Sequence, residues 1–326
     1  VFLPSSLVSI GTGAFYGAPL EEIDLAMKSI PYLFYDRVAK GASWEPRPLP
    51  WGHLILRKSV ENWETNPERP DSKANGGFIG ASLSRLTIEE GVTSIGERAF
   101  VVNEIKVVEF PESLTSLGKE AFSSAGIERL YFSSGITAIP EQAFYGNKIQ
   151  NLDLPGSVKR IGRYAFSRNA MSSLKLNEGV ENIEALAFER NQISLLALPA
   201  SIVEIGEQAF ISNDLDRLYF LGDRPELPGD NQFLGNGDLL YLNFCDGTDG
   251  WPGEKTSDLI RRGVDCALDS DGDTYLDYED VFPLDSKEFA DTDADTVGIF
   301  LIIVCLWPTW INRIKIWIQL ACVRFG

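Results

Sequence analysis

The sequence predicts a solenoid of stacked 22-residue coils with short parallel strands, and three observations carry that prediction. First, an Ala-Phe pair recurs at Ala99-Phe100, Ala121-Phe122, Ala143-Phe144, Ala165-Phe166, Ala187-Phe188 and Ala209-Phe210, six times without a slip, with an isolated copy at Ala14-Phe15. Second, other columns keep the same register. Ile95, Leu117, Ile139, Ile161, Ile183 and Ile205 stand four residues before each Ala, and Asn103, Ala125, Asn147, Asn169, Asn191 and Asn213 stand three residues after each Phe. Third, each phrase is followed by an apolar triplet such as Ile149, Leu152 and Leu154 in "IQNLDL". A fixed period with leucine spacing of this kind marks a leucine-rich solenoid.

Each column has a physical role. In "NLDL" the apolar–polar alternation turns Leu152 and Leu154 to one face and Asp153 to the other, which is a short half-buried strand. One coil cannot bury its apolar face alone, whereas stacked coils can. The Phe column is expected to stack inside as a spine, with the Ile column beside it. The Asn column is expected inside, where its amides satisfy backbone groups at the turn, since a buried unpaired amide is costly. Ala125 breaks that column and predicts a weaker coil. Gly96, Gly118, Gly162 and Gly206 follow the Ile column and suggest tight turns, with Pro140 and Glu184 at the same place in the other two coils. The outer side is expected to be mostly irregular or short-helical.

Along the chain, 1–27 carry a partial repeat. Residues 28–80 hold no 22-residue phrase and read either as an inserted loop or as repeats scrambled by a reading error; from Ala14 to Ala99 is three residues short of four periods. Residues 81–220 are the clean array. Residues 221–264 are its closing cap, with a last strand in "LLYLNF", since terminal repeats must cover an open end. An acidic segment, 265–296, follows, and then an apolar, basic tail, 297–326. "VFLPSSLVSIG" reads as the middle of a repeat, so the chain is expected to be a fragment.

Composition narrows the function. The chain of 326 residues carries a formal charge of −18, which argues against nucleic acid as a partner. Twelve acidic residues and one Lys lie between Asp265 and Asp295, so most of the excess charge is outside the repeats. The four Cys, at 245, 266, 305 and 322, form no CxxC pair, which argues against zinc. Cys245 and Cys266 flank the end of the solenoid and are either paired in an oxidising compartment or two buried thiols. The single His, His53, lies in the irregular segment, so no Ser-His-Asp or Cys-His site can be built in the array. No glycine-rich phosphate loop follows a strand. The sequence therefore reads as non-enzymatic.

The acidic segment has metal-ligand spacing. "DSDGDTYLDYED" places Asp269, Asp271, Asp273, Asp277 and Asp280 at positions 1, 3, 5, 9 and 12 of a loop, with the Tyr275 carbonyl at position 7. Hard oxygen ligands at that spacing suit Ca²⁺. Asp291, Asp293 and Asp295 begin a second cluster. The alternative is an acidic, solubilising linker. The tail's uncharged run, Val297–Asn312, is shorter than a bilayer span. It reads as a membrane-associated segment or as a non-native terminus, and membrane contact is expected only through 297–326.

A surface emerges from the same period. Glu109, Tyr131, Asp153, Lys175, Ala197 and Tyr219 fall on the outward face of the strands, 22 residues apart. Lys106, Glu128, Gln150, Ser172, Ser194 and Asp216 form a neighbouring column. At about 4.8 Å per strand the six rungs make a surface roughly 30 Å long, with tyrosines that suit a protein partner. Solvated positions chosen for strand propensity are the alternative.

The phrase "LPxSVxxIGxxAFxxN", with "YLNFCDGTDGWPG" at its close, resembles the BspA-like leucine-rich repeat family of surface proteins over 1–25 and about 81–250. That resemblance implies an extracellular or cell-surface, bacterial protein used in adhesion or contact with host proteins, with fibronectin and fibrinogen as the partners it suggests. "CALDSDGD" and "LDYEDVFPLDSKEFADTDAD" resemble the thrombospondin type 3 calcium repeats of bacterial surface proteins, although Ala294 and Thr296 stand where that family usually has Gly. The reading is a secreted or surface adhesion module with a calcium-stiffened stalk. The alternative is a structural spacer, or a targeting region of a larger exported protein.

Overall fold

The computed structural model describes residues 2–4, 22–25, 29–30, 52–57, 62–63, 78–236, 241–245 and 260–264. They form a right-through stack of coils in which every strand pair is parallel. Each regular coil contributes one longer strand, such as Asn151–Leu154, and one two-residue strand, such as Arg160–Ile161. A wall of turns closes the coil.

The alternation seen in the sequence sets the strand faces. Asn151 and Asp153 are exposed while Leu152 and Leu154 are buried, and Ser173–Leu176 repeats that pattern one coil on. The two are in register, Leu152 opposite Leu174 and Asp153 opposite Lys175. Where ladder pairing pauses between rungs, the coils stay joined at the strand entrance. There the Lys148 amide donates to the Ile127 carbonyl at 2.8 Å and the Gln192 amide to the Met171 carbonyl at 2.9 Å.

The phenylalanine column is the core. Phe78, Phe100, Phe122, Phe144, Phe166, Phe188 and Phe210 are completely buried. Consecutive rings lie 5.0–5.7 Å apart, and Phe233 continues the stack at 5.6 Å from Phe210. Each fully buried ring stabilises by about 1.5–3 kcal/mol. Among the described residues the spine therefore reaches one coil further back than the array's Ala-Phe phrase, to Phe78, where Gly77 replaces Ala, and one coil beyond it, to Phe233.

The asparagines do what the sequence requires of them. Asn191 accepts from the Met171 amide at 3.2 Å and donates to the carbonyls of Phe166 and Phe188 at 3.1 and 3.0 Å. Asn103, Asn147, Asn169, Asn213 and Asn236 make the same three bonds in their own coils.

The glycine column works differently from the expected tight turn. The left-handed residues stand elsewhere: Arg98, Glu120, Gln142, Tyr164, Leu186 and Gln208 in one register, and Val102, Ser124, Arg168, Arg190 and Ser212, with Gly80 and Gly146, in a second. Gly162 is there because the previous coil comes close: a Cβ would sit 2.7 Å from the Glu141 amide nitrogen. Pro140 and Glu184 carry side chains at the equivalent place in their own coils. The outer wall is thus made of paired left-handed turns, and the single short helical piece among the described residues is a 3₁₀ turn at Pro228–Asp230.

On the turn wall the amide donates forward, Phe100 to Ala121 and Phe122 to Ala143, both at 2.8 Å. On the strand side both directions occur: Gly118 donates back to Ile95 at 2.8 Å, and Phe110 forward to Tyr131 at 3.1 Å.

The stretch between the isolated repeat and the array carries the same rungs. Phe2 lies opposite Asp24, Asp24 opposite Ile55, and Ile55 opposite Thr87, steps of 22, 31 and 32 residues. The strand His53–Leu56 buries Leu54 and Leu56 completely. The long interval is therefore built of lengthened coils, and the sequence period fails there because the extra residues lie between strands. At the other end, Tyr241–Cys245 pairs with Phe220's strand and Ile260–Val264 adds one more rung beyond "LLYLNF".

Candidate protein-binding face

The predicted column forms a continuous series of outward positions on the longer strands. Tyr131 lies opposite Glu109, Lys175 opposite Asp153, and Tyr219 opposite Ala197 on one side and Asn243 on the other. Glu109, Tyr131, Asp153 and Lys175 are exposed, and Ala197 and Tyr219 are half-buried. Tyr131 is the largest of these side chains in the open, at 51% exposure. The rung fixes its backbone while the ring stays accessible.

The column is longer than the array phrase reveals. Phe2, Asp24, Ile55 and Thr87 pair in register with one another, Thr87 stands 22 residues before Glu109, and Phe2 is 59% exposed. Arg129, exposed and two residues before Tyr131, shares its face. The strand alternation that placed Tyr131 also places Arg129, so this residue was within reach of the sequence.

The neighbouring column is partly committed. The Lys106 ammonium donates to Glu128 at 2.6 Å, and that hydrogen bond, with Lys106's charge, holds the Glu128 carboxyl below the usual range against a smaller opposing effect of desolvation. Lys119 shows the converse on the turn wall, its pKa raised chiefly by its hydrogen bond to Glu141. Both pairs join equivalent positions of successive coils, as do Arg98–Glu120 at 2.7 Å and Lys159–Glu181 at 3.5 Å. Asp153 accepts from Asn177 Nδ2 at 2.6 Å, so its carboxylate is oriented along the face.

His53 sits on a strand, half-buried, with Nε2 2.8 Å from Thr87 Oγ1. Asp269, Asp271, Asp273, Tyr275, Asp277, Asp280, Asp291, Asp293 and Asp295 lie outside the described residues, as do Cys266 and the 297–326 tail. Among the described residues no group of three or more His, Cys, Asp or Glu is placed to hold a metal ion, and no helix is long and apolar enough to cross a membrane.

The sequence pattern of the BspA type leucine rich repeat region, in six copies, matches residues 71–154 and 137–249. The chain belongs to this family. The BspA-type match covers the coils that the phenylalanine spine and the asparagine ladder hold together. It also begins before the first complete Ala-Phe phrase of the array, in agreement with the position of Phe78.

Among solved structures, a leucine-rich repeat protein from Bacteroides ovatus ATCC 8483 shares the BspA-type chain's fold at a TM-score of 0.54 and 18% identity, over 75% of this chain and 63% of that one. The chain thus spans less than two thirds of that protein. The pneumococcal vaccine antigen PcpA (16% identity, TM-score 0.37, 70% of this chain and 79% of that one) is also similar. So is a leucine rich cell surface protein from Faecalibacterium prausnitzii A2-165 (19%, 0.30, 70% and 82%). No curated protein matches the chain.

Proposed function

We propose that this BspA-type array is a non-catalytic protein-binding module of an exported or cell-surface adhesin, and that a partner docks on the strand face with Tyr131 as its anchor. One observation carries the reading: Tyr131 is half-exposed at the end of a parallel strand, in register with Glu109. An aromatic side chain with few rotatable bonds, held by a fixed backbone, loses little entropy on binding. Arg129, Asp153 and Lys175 give the surrounding face both signs of charge, which sets register and partner choice more than affinity. The family and the cell-surface description of a similar protein favour an extracellular partner, and a fibronectin- or fibrinogen-like protein is the first to try.

The acidic segment is proposed to bind Ca²⁺ through Asp269, Asp271, Asp273, the Tyr275 carbonyl, Asp277 and Asp280, with Asp291, Asp293 and Asp295 as a second site. Like charges at that density repel without metal, so calcium would turn the segment into a stiff stalk. Saturation of weak extracellular sites needs roughly 10⁻⁴–10⁻³ M calcium.

The test is binding of the whole chain to immobilised fibronectin and fibrinogen, with calcium and with chelator, for the wild type and Tyr131→Ala. Saturable binding that Tyr131→Ala weakens by about tenfold or more supports docking on the strand face, because an interface anchor contributes about 2 kcal/mol or more. Absence of binding under both conditions overturns adhesion to these partners and leaves the spacer.

A further inference from the structure

The turn wall carries a second surface of different chemistry. In the coils around it, cations pair across to carboxylates: Arg98 with Glu120, Lys106 with Glu128, Lys119 with Glu141 and Lys159 with Glu181. Arg163 and Arg168 do not. Both are exposed, and neither guanidinium pairs with a carboxylate among the described residues, while the Arg163 main-chain amide donates to Glu184 at 2.8 Å. Each guanidinium instead lies over a tyrosine, Arg163 at 5.2 Å from the Tyr164 ring centre and Arg168 at 5.9 Å from that of Tyr145. Exposed Lys148, three residues after Tyr145, adds a further cation without an ion-pair partner there.

We propose that Arg163, Arg168 and Lys148, with Tyr145 and Tyr164, form a binding site for an anionic polysaccharide, a chain carrying carboxylate or sulfate groups spaced along its sugars. The stacked tyrosine holds each guanidinium extended and leaves its N–H fork for a bidentate anion. The cations are spread over neighbouring coils, which are about 4.8 Å apart, so they suit separated charges better than a continuous run of them. The half-buried tyrosines offer flat apolar flanks to the C–H faces of sugar rings. A peptide strand gains no main-chain bonds here, because the wall's amides are already used. Gly146 donates to Ser167 at 2.9 Å, Arg168 to Glu189 at 2.8 Å and Phe144 to Ala165 at 2.9 Å, which removes the strand-addition mode of peptide recognition.

The net charge of −18 opposes a polyanion at long range. At physiological ionic strength that field is screened beyond about 8 Å, so capture depends on the local cations. Arg163, Arg168 and the two tyrosines lie on a different wall from the strand face, with Lys148 at the strand entrance, and the two assignments stand or fall separately.

The experiment is surface binding of the whole chain to heparin and to polygalacturonate, with neutral dextran, polyglutamate and anionic lipid vesicles as comparison arms, at about 0.15 M salt. Arg163→Gln/Arg168→Gln is expected to lower affinity for at least one of the two polysaccharides by about tenfold or more. Lys159→Gln is expected to leave it unchanged. Arg163→Lys/Arg168→Lys keeps the charge and loses the fork, and is expected to fall between; its thermal midpoint, matched to wild type, excludes a folding defect. Failure to bind either polysaccharide, unchanged affinity in the Gln variant, or equal binding to polyglutamate or vesicles overturns the proposal.

Discussion

The main-chain amide of Ile105 donates to the carbonyl of Ala125 at 2.8 Å, at the point where the other regular coils use an asparagine side chain. The Asn column breaks at Ala125, yet the bond it supplied is kept. Gly126, at φ +80°, turns the carbonyl into place. The weaker coil that the sequence suggests is a coil with a different acceptor.

This makes consensus repair harmful. Ala125→Asn restores the repeat phrase but puts an amide into a fully buried site whose donor is already engaged. It is expected to destabilise by about 1–3 kcal/mol, and Asn191→Ala, which orphans the Met171 amide, by a similar amount. Urea midpoints at constant m-value measure both. A stabilised Ala125→Asn would show that the carbonyl is a poor substitute.

Glycine at 162 answers to the neighbouring coil rather than to its own dihedral angles. Gly162→Ala is expected to cost about 1–3 kcal/mol through overpacking against Glu141. The reverse holds on the turn wall. Val102, β-branched and 54% exposed, holds a φ of 55°. Val102→Gly removes left-handed strain of about 1–2 kcal/mol and adds unfolded-state entropy of about 0.5–1 kcal/mol, so a net gain of about 0.5–1 kcal/mol is expected in the same denaturation assay.

The Lys106–Glu128 contact sets a pH dependence of defined sign. Because the folded Glu128 carboxyl is lowered, its contribution is present above the unfolded carboxylate pKa and is lost as pH falls through the folded value. In Lys106→Gln the Glu128 titration followed by NMR is expected to move up towards the ordinary glutamate range. Lys119, raised by Glu141, contributes fully below the unfolded lysine pKa and loses that contribution as pH rises through the folded one. Both groups are on the surface, so the effects are small and fade with salt.

Much of the architecture is written in the 22-residue columns. Phe166, Ile161, Asn169 and Leu152 each repeat with a fixed step, and each occupies the inside position that its chemistry demands. What the period hides is geometry that depends on another coil's backbone. Gly162 looks like a turn residue in one dimension and is a contact residue in three. His53–Leu56 and Asn62–Trp63 escape notice because steps of 31, 32 and 33 residues share their rungs with steps of 22. On the strand face, Tyr131 follows from alternation and so does Arg129. The pairing of Arg168 with Tyr145 does not, because it joins residues 23 apart across two left-handed turns.

The bonds joining one coil to the next lie along the direction in which the stack grows, on the turn wall and on the strands alike. A pull on the two ends of the stack therefore loads them in tension, one coil at a time, like peeling tape rather than shearing a glued lap. Each 22-residue coil that opens releases about 70 Å of slack. A stack pulled from its two ends would lengthen in steps, one coil at a time, instead of giving way in a single event.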